Sequence, residues 1–60
     1  MTKTAKKVME KYNEWIAEDR IERVENHPDY DDITCYFDNY DDMICIQRDE
    51  NGNIIDAYEE

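Results

Sequence analysis

Between Glu25 and Gln47 the chain carries seven acids (Glu25, Asp29, Asp31, Asp32, Asp38, Asp41 and Asp42) and no Lys or Arg. Carboxylates this dense can hold a cation, move protons, or present negative charge to a basic partner. Holding a cation needs more than the acids. His27 with Asp29, Asp31 and Asp32 sets one imidazole among carboxylates on a turn-forming stretch, with nothing to orient the ligands. A calcium loop over residues 47–58, aligned on Gly52, would place Gln47 first and Tyr58 twelfth, where calcium needs carboxylates. A β-hairpin explains the same letters, so no metal and no cofactor is expected. Moving protons needs a pocket that pushes two pKa values apart, and a chain of 60 residues has little room for one. Cys35 and His27 do not make a dyad, because the acidic turn separates them and Cys35 belongs to a core-forming run. The chain is therefore expected not to be an enzyme.

Presenting charge remains. Along a strand, residues i and i+2 lie roughly 6.6–6.8 Å apart, comparable with the intervals of phosphates along DNA. A rigid row of carboxylates can then fill a basic channel built for nucleic acid without any base being read. Tyr30, Tyr36 and Tyr40 stand among the acids and can stack on Arg planes. A second row, Glu10, Glu14, Glu18 and Glu22, has the i, i+4 spacing of one helix flank. These like charges cost stability, and the usual explanation is an ordinary solvated face.

The wider composition agrees. Net charge is −10, and it is unevenly placed. Residues 1–13 carry four lysines against Glu10, whereas residues 14–60 carry sixteen acids against Arg20, Arg23 and Arg48. Such a chain is repelled by nucleic acid and anionic membranes and attracted to basic surfaces. Solubility alone asks for less, about 2–8 charges in a small domain. Two cysteines, Cys35 and Cys45, make no disulfide scaffold and read as reduced thiols. No signal peptide or transmembrane run is evident, so a cytoplasmic location is expected.

The elements that must position these groups fit one small α+β domain over residues 1–60. Ala5, Val8, Met9, Tyr12, Trp15 and Ile16 share one face of a helix, with Thr2 or Thr4 as cap. Ala17, Ile21 and Val24 fall nearly opposite. The expectation is one helical region over 3–26, kinked if Asp19 and Glu22 form a capping box, and ending before His27-Pro28. Three strands follow, Ile33–Phe37, Met43–Arg48 and Ile54–Tyr58, with Asn51-Gly52 as a hairpin turn. A four-residue loop Asn39–Asp42 would gather Ile33, Cys35, Phe37, Ile44 and Ile46 on one face, joined by Ile55 and Ala57. A three-residue loop would mix that set with polar groups and is rejected. The prediction is a helix packed on a three-stranded antiparallel meander, 33–58. Thr34, Tyr36, Asp38, Met43, Cys45, Gln47, Ile54, Asp56 and Tyr58 are left on the second face, where partners or a second copy could bind.

In size, charge and Asp/Tyr patterning over residues 10–60, the chain resembles the small acidic DNA-mimicking inhibitors of phages and mobile elements, including anti-CRISPR proteins. The resemblance is one of type and carries over no site residues. It implies a phage protein in a bacterial cytoplasm that binds a Cas complex at its DNA-contacting site. The expected contact residues, taken from the acidic pattern itself, are Asp29, Asp31, Asp32, Tyr36, Asp38, Tyr40, Asp41 and Asp42. Two alternatives stand beside this one. The chain could be an immunity protein or antitoxin against a basic nuclease. It could also be a homodimeric module, joined through the second sheet face or the Ile21/Val24 side, whose acid only keeps it soluble.

Overall fold

A computed structural model describes residues 1–59. One helix, α1 (Lys3–Ala17), precedes four strands: β1 (Ile21–Asn26), β2 (Ile33–Asp38), β3 (Met43–Arg48) and β4 (Ile54–Glu59). The strands form one antiparallel sheet in the order β1-β2-β3-β4. The α+β class agrees with the sequence; the sheet has one strand more than expected, and the helix is correspondingly shorter.

The helix starts where Thr2 Oγ1 accepts the Ala5 N–H at 3.0 Å, which satisfies one of the orphan donors of the first turn. It does not continue past Asp19. Arg20 N–H donates to Trp15 O at 2.9 Å and Asp19 N–H to Ile16 O at 3.2 Å, the double bond pattern of a Schellman stop. Asp19 takes the left-handed position, with φ 54°. Its short polar side chain tolerates that region better than most residues, though less well than glycine. Asp19 therefore ends the helix; it does not cap a second one. Ile21–Asn26 then becomes a strand, because β2 offers it a ladder that is regular from Arg23 to Asn26 and its β-branched Ile21 and Val24 suit an extended chain. Glu22 leaves the carboxylate row with it, and the helical row ends at Glu18.

The β2–β3 register is the one the sequence argued against. Cys35 lies opposite Cys45 and Phe37 opposite Met43, so the connecting loop is Asn39–Asp41, closed by Asp38 N–H to Asp42 O at 3.1 Å. A slip of one residue turns every side chain of a strand over. Tyr36, not Cys35 or Phe37, therefore faces the helix with Ile44, Ile46 and Ala57. There they meet Ala5, Val8, Met9, Tyr12 and Trp15, with Ile21 and Ile54 at the margin. Ile33, Cys35 and Cys45 form a second buried cluster on the far face under Phe37, Met43 and Tyr58. Ile16 and Ile55, both expected in the core, are about half exposed, at 52% and 49%. For Ile55 the cause is a register shift beside Gln47 and Arg48, which leaves it as the extra residue of a bulge.

The Schellman stop makes a local prediction. Asp19→Gly should raise unfolding stability by about 0.5 kcal/mol, whereas Asp19→Val should lower it by about 1–2 kcal/mol, measured by urea denaturation. Equal stability of the three proteins would mean that Asp19 is not in the left-handed conformation.

Candidate protein-binding surface

Two hairpin turns are built on one pattern. In the first, Asp38 Oδ1 accepts the N–H of Tyr40 at 2.9 Å and of Asp42 at 3.0 Å, and Asp41 sits at φ 63°. In the second, Asp49 Oδ1 accepts the N–H of Asn51 and of Asn53, both at 2.9 Å, and Gly52 sits at φ 85°. Each is an aspartate that bonds backbone two and four residues on, followed by a left-handed residue at the fourth position. That combination closes a three-residue hairpin loop. The Asn51-Gly52 pair was thus a sound turn signal, but its turn has a positive φ at Gly52 alone.

Asp38 does more than shape its turn. It is 2% exposed, and its Oδ2 accepts Arg20 Nη2 at 2.9 Å. Arg20 also reaches Glu18 Oε1 at 3.4 Å, and its guanidinium lies 6.0 Å from the Trp15 ring centroid and 5.8 Å from that of Tyr40. Burial pushes the Asp38 carboxyl up, but the N–H groups of Tyr40 and Asp42 and the Arg20 charge outweigh it, and its pKa lies below the ordinary value. Asp38 is therefore an internal tie and not a contact residue. Tyr36 is likewise engaged. Its ring meets Tyr12 edge-on at 4.9 Å between helix and sheet, and Arg48 lies 5.8 Å from its centroid. Burial, then the neighbouring Tyr36 hydroxyl, raise the Tyr12 pKa. Tyr36 sits on the covered face, so it is not free to stack on a partner.

The remaining expected contacts divide between opposite ends of the sheet. In an antiparallel meander, alternate loops share an end. Asp29, Asp31 and Asp32 lie between β1 and β2, and the β3–β4 loop brings Asp49 and Glu50 beside them. Tyr40, Asp41 and Asp42 lie at the far end, roughly 17 Å away along β2. The first group, with Tyr30, lines an open cleft of about 720 Å³. Thr34, Ile55 and Arg48 complete the walls, and Arg48 is the only cation among the residues lining it.

This end is held in shape. Asp29 N–H donates to His27 Nδ1 at 3.1 Å, Gln47 Nε2 to Asp32 Oδ2 at 2.7 Å, and Arg48 N–H to Asp32 O at 3.0 Å. The Asn53 N–H, with those of Asn51 and Gly52, holds the Asp49 pKa below its ordinary value. Asp49 and Glu50 were absent from the expected set. The signal was available, since the three-stranded meander already put residues 27–32 and 49–53 at one end.

Cys35 and Cys45 stand across from each other, both buried and unbridged, with Sγ atoms 3.4 Å apart. Among the described residues, no cluster of three or more His, Cys, Asp or Glu could hold a metal ion. No helix among them is long and apolar enough to cross a membrane. No protein-family model, no curated protein and no solved structure matches the chain.

The Asp38 tie has a pH signature. A folded-state pKa below the unfolded one stabilises the fold at pH above the unfolded value, near about 4. That contribution is lost as pH falls through the folded value. Wild type should therefore be more stable than Asp38→Asn at pH 7, and the difference should shrink towards zero on acidification below about pH 4. Urea midpoints of both proteins from pH 7 to pH 2 would show it. A gap that stays constant over that range would contradict the charged tie.

Proposed function

We propose that the chain is a non-enzymatic inhibitor whose acidic end occupies the basic nucleic-acid-binding surface of a target protein or complex. The observation that carries this reading is the convergence of Asp29, Asp31, Asp32, Asp49 and Glu50 from two loops onto one open cleft. Like charges so arranged repel and weaken the fold. A basic partner would relieve that cost and gain from it. The loop bonds of His27 and Asp49 order the backbone that carries the charges and Gln47 holds the Asp32 carboxylate, so less entropy is lost on binding than with a flexible acidic tail. Tyr30, 56% exposed among these acids, offers a ring for an Arg of the partner.

The resemblance in size and charge to anti-CRISPR proteins directs the choice of target to a CRISPR-Cas effector at the groove that binds its DNA. Competition with duplex DNA then follows from shared contacts. Most of the affinity comes from charge pairs at a solvated rim, so it should fall steeply with salt.

The test is inhibition of DNA binding by a panel of Cas effector complexes. Wild type should block at least one of them. The triple substitution Asp29→Lys, Asp31→Lys, Asp32→Lys should weaken that block by about 100-fold or more, because each reversal turns an attraction into a repulsion. Reversal of Asp41 and Asp42, at the other end of the sheet, should weaken it far less. A folded triple variant that inhibits as well as wild type would rule the reading out.

A further inference from the structure

The sheet has two edges, and they differ in what they offer. On β4, Ala57 points its N–H away from β3, since Tyr58 and Asp56 lie opposite Cys45 and Gln47 on the bonded side. That outward N–H is already taken by Asp56 Oδ1 at 2.9 Å. The strand has no cation of its own; Lys11 Nζ pairs with Glu59 Oε2 at 3.2 Å, and the Asp56 charge still opposes the pairing of two β4 edges.

β1 is different. His27 N–H donates to Ile33 O at 3.0 Å, so the residues in phase with it, Arg23 and Glu25, turn their backbone groups towards β2. Val24 and Asn26 turn theirs outward, along a strand whose residues after Ile21 are all exposed. Val24, on the helix side of the sheet, is 55% exposed. On the other side, Arg23 Nε pairs with Glu25 Oε2.

We infer that β1 is a self-complementary edge through which two copies of this chain pair antiparallel about a twofold axis at Val24. In that register Val24 and its copy exchange N–H···O=C bonds. Arg23 of each chain stands opposite Glu25 of the other, and Glu22 opposite Asn26. The charge pairs fall at non-hydrogen-bonded positions, where cross-strand side chains come closest. Slipping the strands by two residues sets Arg23 against its own copy in one direction and Glu25 against its own copy in the other. Slipping by one opposes outward and inward backbone groups and is excluded. The Val24-centred register is thus singled out by hydrogen-bond phase and by charge together. The register shift between Ile21 and Arg23 marks where the regular ladder stops. The inference does not rest on the acidic cleft or on any target.

Sedimentation equilibrium of wild type and variants tests it. Wild type should show a monomer–dimer equilibrium that shifts with concentration. Val24→Pro removes an N–H that β2 does not use, so the sheet should persist by circular dichroism while dimerisation weakens by at least about tenfold. If that variant does not fold, the charge variants still decide. Arg23→Glu and Glu25→Arg should each weaken the dimer, and the double swap should restore it. A wild type that stays monomeric up to about 1 mM, or a dimer that neither single charge reversal weakens, would overturn the inference.

Discussion

Asp38 is the residue on which the arrangement of this small protein turns. Its carboxylate holds two backbone N–H groups of the β2–β3 turn and the Arg20 guanidinium that follows the helix stop. The first pair of bonds fixes the three-residue loop and with it the register. The register then decides that Tyr36 faces the helix while Cys35 and Phe37 face away. The bond to Arg20 ties the entry of β1 to the same corner. A chain this short buries little surface, about 60% of what it exposes when unfolded. A few buried polar contacts then weigh heavily, and a buried carboxylate is tolerated because every bond it needs is present.

The sheet that results is apolar on both sides. One side is closed by α1 around Trp15, Ile44 and Ile46. The other is closed by its own small and long side chains: Cys35 and Cys45 are sealed by Phe37, Met43 and Tyr58, with Arg23 stacked 4.1 Å from the Phe37 ring. On the two central strands Asp38 is the one acid; the other acids among the described residues lie on the helix, on the edge strands and in the turns. The densest acidic clusters are those of the loops at the two ends of the sheet.

Much of this was legible in the letters. The helical stripe from Ala5 to Trp15, the strands 33–37, 43–48 and 54–58, and the turn at Asn51-Gly52 all follow from periodicity and turn chemistry. Three features were not. The helix stop rests on Asp19 in a conformation more often given to glycine, although the misplaced Ala17, Ile21 and Val24 hinted at a break. Grouping the most apolar residues on one face gives the wrong register here, because both faces are apolar and a tyrosine serves as core. The burial of Asp38 depends on Arg20, eighteen residues away in sequence, a pairing that no local pattern reveals. The expected contact set changes accordingly: Asp38 and Tyr36 leave it for structural roles, while Asp49 and Glu50 join Asp29, Asp31 and Asp32 at the cleft.

The central claim is that the clustered carboxylates serve a basic, nucleic-acid-binding partner. The most direct measurement is capture of proteins from a bacterial lysate on the immobilised chain, eluted in parallel by a salt gradient and by duplex DNA. The account predicts that a DNA-binding protein or complex is retained and is released by either eluent. Retention of nothing, or of proteins that neither salt nor DNA displaces, would contradict it.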